Sequence, residues 1–235
     1  MPADLNIKSL KYRKYTVIVA VYNSEKTLRE LVERLIDSFS SSSYSYEIVL
    51  VDDASTDKSF REILELHREH PFLMYDRHEL NRGQSAALLT GLRHSTGDYI
   101  ITIDDDLQYD PADIKRLIDE QALTSADIVY GIPDSKKEGL LKRLTVVLIK
   151  KVLSLVLRVP GKGSSFRLIK RSVFSMIATD QLLKNVLPEV LFFRLNLKIA
   201  YITVNHYKRK YGRSGYSFFK LARLTVNSIR TYLKN

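Results

Sequence analysis

The chain has 235 residues, 45% of them apolar and 27% charged, a composition typical of a soluble protein that is large enough to bury a core. It contains no cysteine, which excludes disulfides and thiolate metal sites. The net charge of +10 is divided: residues 1–135 carry 15 Lys/Arg against 24 Asp/Glu, a composition suited to a cation, whereas residues 136–235 carry 22 against 3, suited to phosphates or an anionic membrane.

The N-terminal segment has no targeting signal in its sequence. Residues 1–10 lack the apolar core of a signal peptide, and no stretch of the chain has the roughly 20 uninterrupted apolar residues of a membrane span. We therefore expect a cytoplasmic protein in which residues 1–14 are an extension that precedes the first predicted strand.

Five short runs rich in Val, Ile and Tyr predict β-strands, with helices between them. The predicted strands are Tyr15–Val21, Tyr46–Val51, Leu73–Tyr75, Tyr99–Ile103 and Ile128–Tyr130. The clearest helix has Ser24 as its N-cap, and another begins at Asp110, which is followed by a first-turn proline. This alternation favours an α/β fold with a doubly wound, mostly parallel central sheet and helices on both faces.

The second half is less regular. Leu140–Val159 predicts a basic amphipathic helix, and Gly161–Ser165 a flexible loop. Val190–Val204 predicts a further strand or helix, and Tyr211–Tyr216 a basic loop. We expect one domain over residues 15–217, with a nucleotide- and metal-binding half (15–135) and an acceptor-side half (136–217), followed by an amphipathic helix over residues 218–235.

An acidic run follows the fourth predicted strand. Asp104 and Asp106 are two residues apart, where a turning backbone can direct alternate carboxylates at one point, and Gln108 adds a neutral oxygen in the same register. Oxygen ligands of this kind favour Mg²⁺ or Mn²⁺, which keep positions open for substrate phosphates. The alternative is a solvated acidic turn.

A second polar cluster follows the second predicted strand. Asp52 and Asp53 end that strand, and Ser55 and Asp57 come directly after it. A carboxylate here can accept a hydrogen bond from a base or ribose of a nucleotide, while Ser55 and Asp57 can cap the next helix. Both acidic clusters lie at the carboxyl ends of strands, so we expect them to share the crevice where α/β sheets bind ligands.

Five motifs in order and spacing make residues 15–220 resemble family 2 inverting glycosyltransferases of the GT-A fold. The motifs are V-A-V-Y-N-S-E from Val19, V-D-D-A-S-T-D from Val51, N-R-G-Q-S-A-A-L from Asn81, G-D-Y-I-I-T-I-D-D-D-L-Q from Gly97 and G-R-S-G-Y-S from Gly212. Within the family the chain is most similar to the branch with polyprenyl-phosphate acceptors, which includes dolichol-phosphate mannose synthase.

The resemblance implies a metal-dependent, hexosyltransferase-type enzyme that uses a nucleotide-sugar donor. It implies Asp104, Asp106 and Gln108 as ligands of the Mg²⁺ or Mn²⁺ ion. The catalytic residues that we expect are Asp106, Asp105 and Arg209. The donor-binding residues that we infer with it are Val21, Tyr22, Asp52, Asp53, Gly83, Gln84, Asp104, Asp105, Arg167, Arg209, Arg213 and Ser214. Arg209, Arg213 and Ser214 match a loop that folds over phosphates in the family.

Two departures from the family pattern concern the acceptor side. Gly161 stands where relatives commonly have an Asp, and no arginine follows Gly131 in the place where a G-x-R motif is common. Lys136, Lys137 or Arg167 are candidates to replace that arginine. The acceptor chemistry is therefore less well defined than donor binding.

The expected reaction moves a sugar, with inversion, from a UDP-, GDP- or dTDP-linked donor to polyprenyl phosphate or a cell-envelope glycan precursor. A lipid phosphate is already anionic and needs no strong base, whereas a sugar hydroxyl would need one, for which Asp105 is the candidate. The alternative enzyme is a nucleotidyltransferase acting on sugar phosphates, although the sequence has no Gly-rich phosphate loop after the first strand. A glycosidase would not need adjacent aspartates.

The positive charge of residues 136–235 raises the question of nucleic-acid and membrane partners. A nucleic-acid-binding module would leave the acidic clusters unexplained, so we expect no nucleic-acid partner. Residues 190–235 contain no acidic residue, which favours peripheral contact with an anionic membrane at its inner face. The alternative is that the basic helices pack on the core or in a homodimer.

Overall fold

The computed structural model of the chain describes residues 13–40, 42–134, 163–177, 195 and 197–211. These residues form a seven-stranded sheet with helices on both of its faces. The strands are β1 (Lys14–Val21), β2 (Ser45–Asp52), β3 (Leu73–Arg77), β4 (Tyr99–Asp104), β5 (Ile128–Pro133), β6 (Arg167–Lys170) and β7 (Ile199–Val204). The helices are α1 (Leu28–Ser40), α2 (Ser59–Glu69), α3 (Gln84–His94), α4 (Ile114–Thr124, preceded by a 3₁₀ turn at Pro111–Asp113) and α5 (Arg171–Ile177).

The strand order is β3-β2-β1-β4-β6-β5-β7. Strands β1 to β4 are mutually parallel, as are β5 and β7, whereas β6 lies between β4 and β5 and is antiparallel to both. The chain proceeds from β1 outward to β3 and then returns to place β4 on the other side of β1. The carboxyl ends of β1 and β4 therefore border a topological switch point, where open α/β sheets bind their ligands.

The central strands are apolar along their length because helices cover both faces of the sheet. In β1, Val17, Val19 and Val21 pack in the core on the side of α1, α2 and α4, while Ile18 packs on the opposite side with α3 and α5. Helix α3 lies so close to β1 that a Cβ added at Gly91 would be 2.3 Å from Ile18 Cγ2. This close packing holds α3 directly against the face of β1.

All five predicted strands are confirmed, and β7 lies in the segment Val190–Val204, where a strand or a helix was expected. Strand β6 was not predicted, because four residues are too few to show a period and its pairing partners are distant in sequence. The helix expected directly after Ser24 begins instead at Leu28, since the Ser24 carbonyl closes a turn with Thr27 N and Leu28 N. The cap at Asp110 is confirmed: its carboxylate accepts from Ala112 N.

Several predicted features lie outside the described residues. They are the N-terminal extension up to residue 12, the basic helix Leu140–Val159, the position Gly161, Lys136 and Lys137, the loop residues Arg213 and Ser214, and the C-terminal helix over residues 218–235. The division into domains stays a prediction. Among the helices that the structure describes, none has both the length and the hydropathy of a membrane span.

Candidate active site

A cleft of about 750 Å³ opens at the carboxyl ends of β1, β2 and β4. Its walls come from the loops after these strands, from the start of α3 and from the segment after β7. The lining residues are Ala20, Val21, Tyr22, Asn23, Ser24, Glu25, Lys26, Thr27, Asp53, Asp57, Asn81, Gly83, Gln84, Asp104, Asp105, Asp106, Arg209 and Tyr211. The two acidic clusters, about fifty residues apart in the sequence, thus meet in one crevice.

Three tight turns bring these side chains together. Asn23, Ala54 and Leu107 have φ angles of 54°, 60° and 58°, in the left-handed region that side chains other than glycine rarely adopt. One such residue follows each of β1, β2 and β4. Backbone strain of this kind concentrates at functional sites, where the surrounding structure holds it in place.

Asp104 and Asp106 face the cleft with different partners. Asp104, at the end of β4, accepts hydrogen bonds from Gln84 Nε2 at 2.6 Å and Ser165 Oγ at 2.5 Å. Burial raises the pKa of Asp104, and the Ser165 hydrogen bond acts against that rise. Asp106 Oδ2 lies 2.5 Å from Arg209 Nη2.

Asp105 holds the loop after β1 against the acidic run. Its Oδ2 accepts from Tyr22 N at 2.9 Å and from Ser24 Oγ, and its backbone carbonyl accepts from Thr27 Oγ1 at 2.7 Å. Burial raises the pKa of Asp105 to about 6, although the hydrogen bonds from Ser24 and Tyr22 lower it. These contacts favour a positioning role for Asp105 over that of a general base.

Asp52 and Asp53, adjacent in the sequence, have different environments. Asp53 lines the cleft and accepts from Arg82 N at 2.8 Å and Gly83 N at 2.7 Å. Asp52 is fully buried, where it accepts from Ser55 N at 3.2 Å and lies 3.1 Å from Arg77 Nε. Asp52 is the last residue of β2, whereas Asp53 lies in the turn that follows, and only Asp53 reaches the cleft. The expected donor contact of Asp52 is therefore corrected to a structural role.

Gly83 and Gln84 connect the two carboxylate clusters. Gly83 has a φ of 89° and directly precedes α3, a conformation that suits glycine, and its amide donates to Asp53. Gln84 is the first residue of α3 and donates to Asp104. Both predicted residues therefore lie in the cleft wall.

The segment after β7, residues 205–211, crosses the acidic run. Tyr207 N donates to Gln108 O at 2.8 Å, and Gln108 Nε2 donates to Tyr207 O at 3.3 Å. Arg209 then reaches Asp106, and Tyr211 closes one side of the cleft. The Gln108 side chain is directed to this segment and does not line the cleft, which corrects its expected place among the metal ligands in this conformation.

Arg167 was expected to contact the donor, but the structure places it behind the cleft wall. It lies on β6, only 2% of it is exposed, and it is not among the lining residues. Its positive charge lowers the pKa of Asp104, a smaller effect than that of burial. Arg167 thus acts on the site through electrostatics.

The carboxylates fit a divalent cation that is shared with a ligand. Among the described residues, no three His, Asp or Glu side chains form a metal-binding group. Asp104 and Asp106 nevertheless line one cleft together with Asp53 and Asp105, while Arg209 and Lys26 are the Arg and Lys side chains among its described lining residues. Mg²⁺ and Mn²⁺ are typically held by one or two carboxylates together with substrate phosphates, which is the donor set available here.

Sequence reasoning missed three polar residues of the site. His78 contacts Asp53, Ser165 contacts Asp104, and Thr27 contacts the Asp105 carbonyl. Ser165 fell in a predicted flexible loop, and His78 belongs to no motif. Only their contacts with residues distant in the chain identify them.

The family model for glycosyl transferase family 2 matches residues 16–177. Solved structures of glucosyl-3-phosphoglycerate synthase from Mycobacterium tuberculosis have a similar fold. The complex of that enzyme with Mn²⁺, uridine-diphosphate-glucose and phosphoglyceric acid is 19% identical, with a TM-score of 0.69 over 97% of this chain and 82% of that one. Its complex with uridine-diphosphate gives 17% identity and a TM-score of 0.67 over 97% and 82%.

The matched residues include β1 from its third residue onward, all of β2 to β6 and both acidic clusters of the cleft. At this level of identity the solved structures establish the fold. The family match covers more than half of the chain. The protein belongs to glycosyl transferase family 2.

Proposed function

We propose that this protein transfers a hexose from a nucleotide-sugar donor, with inversion, to a phosphate-bearing acceptor. One observation carries the proposal: a single cleft at the switch point of the sheet holds Asp53, three consecutive carboxylates and Arg209. A nucleoside diphosphate has a base that a carboxylate can recognise, and a diphosphate that needs a cation. The cleft offers groups for both.

In the proposed arrangement Asp53 recognises the base, while Val21 and Tyr22 frame the nucleoside. Asp104 and Asp106 would hold Mg²⁺ or Mn²⁺ together with the donor diphosphate. The ion neutralises negative charge on the leaving group when bound. Arg209 provides a second positive charge at the same end of the cleft.

The displacement needs little covalent chemistry from the protein. An acceptor oxygen attacks the anomeric carbon and forms the new C–O bond. The bond from that carbon to the diphosphate oxygen breaks, and its electron pair leaves with the nucleoside diphosphate. Arg209 stabilises the developing charge, and Asp105 keeps the loop after β1 in place around the donor.

UDP-glucose is our first candidate donor, because the similar solved enzyme is described with uridine-diphosphate-glucose. The same complex also contains phosphoglyceric acid, and the sequence motifs of this chain resemble a branch with polyprenyl-phosphate acceptors. Both carry an anionic phosphate. A polyprenyl phosphate attacks through a phosphate oxygen and needs no strong general base, whereas attack by a hydroxyl of phosphoglyceric acid would need one. We propose a phosphate-bearing acceptor on this common ground, with polyprenyl phosphate first. Arg213 and Ser214 are proposed to contact the phosphates.

Binding of UDP, GDP and dTDP, each with and without Mn²⁺, tests the donor site. We expect at least one of them to raise the melting temperature only when Mn²⁺ is present. Asp106→Asn should abolish this shift, whereas Asp119→Asn, an exposed residue paired with Lys115 on α4, should retain it. No Mn²⁺-dependent shift with any of the three would overturn the proposal.

Product analysis by mass spectrometry tests the acceptor. UDP-glucose, GDP-mannose and dTDP-linked hexoses are incubated with short-chain polyprenyl phosphate, 3-phosphoglycerate or a soluble glycan. We expect a hexosyl phosphodiester with polyprenyl phosphate. Transfer to the glycan alone would contradict the phosphate-acceptor proposal while leaving the donor site intact.

A further inference from the structure

His78 lies directly behind the candidate base-recognition carboxylate. Its Nδ1 is 2.7 Å from Asp53 Oδ1, and its Nε2 is 2.9 Å from Thr90 Oγ1. Only 5% of the His78 side chain is exposed. Because both ring nitrogens of this buried imidazole have a hydrogen-bond partner, the orientation of the ring is fixed.

The hydrogen bonds define the direction of donation between His78 and Asp53. Asp53 already accepts from Arg82 N and Gly83 N, which makes its carboxylate an acceptor, so His78 Nδ1 carries the hydrogen. The Thr90 hydroxyl can donate to Nε2 or accept from it. The Thr90 contact therefore holds the ring while Nδ1 faces Asp53.

The contacts of Asp53 restrict what else this carboxylate can do. An ionised carboxylate has about four acceptor positions. Two on Oδ1 are used by His78 and Arg82, and one on Oδ2 is used by Gly83. Asp53 lines the cleft, and no other side chain or amide of the described residues contacts its Oδ2, so one acceptor position there is available to a ligand.

His78 also joins three separate parts of the site. Its backbone amide donates to the Asp52 carbonyl at the end of β2, while its ring links Asp53 to Thr90 in α3. Helix α3 begins next to Gly83, which itself donates to Asp53. Loss of the imidazole would remove one hydrogen bond to Asp53 Oδ1. It would also remove the side-chain link between Asp53, which follows β2, and Thr90 in α3.

We propose that His78 is a positioning residue that orients Asp53 so that its remaining acceptor position recognises a ring N–H of the donor base. This inference rests on the proposed nucleotide-sugar site. A carboxylate acceptor held in this way favours bases that present a ring N–H at their pairing edge, namely uracil, thymine and guanine. Cytosine and adenine have a ring acceptor there and would leave this remaining acceptor position of Asp53 without a ring N–H, which disfavours their binding.

Two substitutions test separately the two hydrogen bonds of the His78 ring, one to Asp53 and one to Thr90. His78→Asn places an amide nitrogen near the position of Nδ1, so the bond to Asp53 is kept and the one to Thr90 is lost. His78→Gln places its amide nearer the position of Nε2, so the Thr90 bond is kept and the Asp53 bond is lost. The matched control is His67→Gln on α2, where the ring contacts the Leu73 carbonyl away from the cleft.

Calorimetric titration of each full-length variant with UDP, GDP, dTDP, CDP, ADP and pyrophosphate, in the presence of Mn²⁺, measures the effect. For the diphosphate that the wild type binds best, we expect His78→Gln to weaken binding by about tenfold, the size of one charge-assisted hydrogen bond. His78→Asn should stay within about threefold of the wild type, since it keeps the bond to Asp53. Pyrophosphate affinity should be the same in all variants, because pyrophosphate has no base.

The remaining outcomes are distinct. Equal affinities of His78→Gln and wild type for the nucleotide would overturn the positioning role. So would an equal loss for pyrophosphate, which would indicate a general structural effect, and so would a preference of the wild type for CDP or ADP. If the wild type binds pyrophosphate and no nucleotide, the proposed function fails together with this inference.

Discussion

Ala54 shows how much a single residue contributes to this site. Its φ of 60° lets the chain turn directly after Asp52 and Asp53, so that Asp53 enters the cleft while Asp52 stays buried. A left-handed conformation costs a residue with a Cβ roughly 1 kcal/mol compared with glycine. The turn is thus formed against the local preference of its own sequence.

We predict that Ala54→Gly stabilises the protein by about 0.5–1 kcal/mol, because glycine adopts the positive φ without steric cost. Urea denaturation measures the effect. The matched control is Ala122→Gly in the interior of α4, which should destabilise the protein by a similar amount, since glycine is unfavourable in a helix. A destabilised Ala54→Gly variant would contradict strain at this turn.

The three adjacent aspartates also have different roles at this scale. Asp104 contacts Gln84 and Ser165, and Asp106 contacts Arg209. Asp105 instead holds the loop after β1. The three aspartates therefore have different partners because their side chains leave the turn in different directions.

Among the elements, strands β1, β2 and β4 are linked by hydrogen bonds near their amino-terminal ends, at the opposite end of the strands from the cleft. Glu47 on β2 accepts from Thr16 Oγ1 of β1 at 2.6 Å and from Thr96 Oγ1, before β4, at 2.8 Å. Lys14 Nζ lies 2.6 Å from the same carboxylate. Burial raises the pKa of Glu47, but these hydrogen bonds outweigh it and lower the pKa to about 2.

This network predicts a pH dependence of stability. The folded-state pKa of Glu47 lies below its unfolded value of about 4.3, so its contribution is complete above that value and is lost as the pH falls toward 2. We expect Glu47→Gln to lower the free energy of unfolding at pH 7 by about 2 kcal/mol, with a much smaller difference near pH 2.5.

Urea denaturation at both pH values measures the difference. Glu65→Gln, which removes an exposed pair with Arg61 on α2, is the control and should change the stability at either pH by less than about 0.5 kcal/mol. An equal loss for Glu47→Gln at pH 7 and pH 2.5 would argue against an ionised Glu47 in the folded state.

For the whole molecule, the segment 205–211 joins the basic half of the chain to the acidic half. Arg209 contacts Asp106, and Lys210 Nζ lies 2.9 Å from Glu30 Oε2 on α1. This described segment of the basic half thus meets the acidic half at the cleft. Arg209 contacts a carboxylate that we propose as a metal ligand, so the guanidinium and a bound metal ion would compete for that carboxylate.

We predict that Arg209→Ala tightens the binding of Mn²⁺ to the nucleotide-free protein by about three- to tenfold, because Asp106 loses its counter-charge. Electron paramagnetic resonance of free Mn²⁺ measures this without any activity assay. Lys210→Ala, which removes a neighbouring cation paired outside the cleft, should leave Mn²⁺ affinity unchanged. Weaker Mn²⁺ binding by Arg209→Ala would count against this competition.

Much of the fold is predictable from the sequence, for identifiable reasons. The runs of Val and Ile in β1, β2 and β4 mark strands that are buried on both faces, and Asp110 with its following proline marks a helix start. Strand β6 could not be predicted, because its four residues become a strand only by pairing with β4 and β5. The same non-local pairing places Arg167 behind Asp104 and not in the cleft.

The sequence by itself determined the strand and helix order of the first half, the meeting of two acidic clusters at one sheet edge and the choice of oxygen ligands. These follow from local periodicity and from the geometry of parallel strands. The tertiary structure alone decided which carboxylates face the cleft. Ser165 and Arg209, 61 and 103 residues distant from their aspartates, set those orientations. Contacts across such separations depend on how the whole chain packs, and neighbouring residues in the sequence do not encode them.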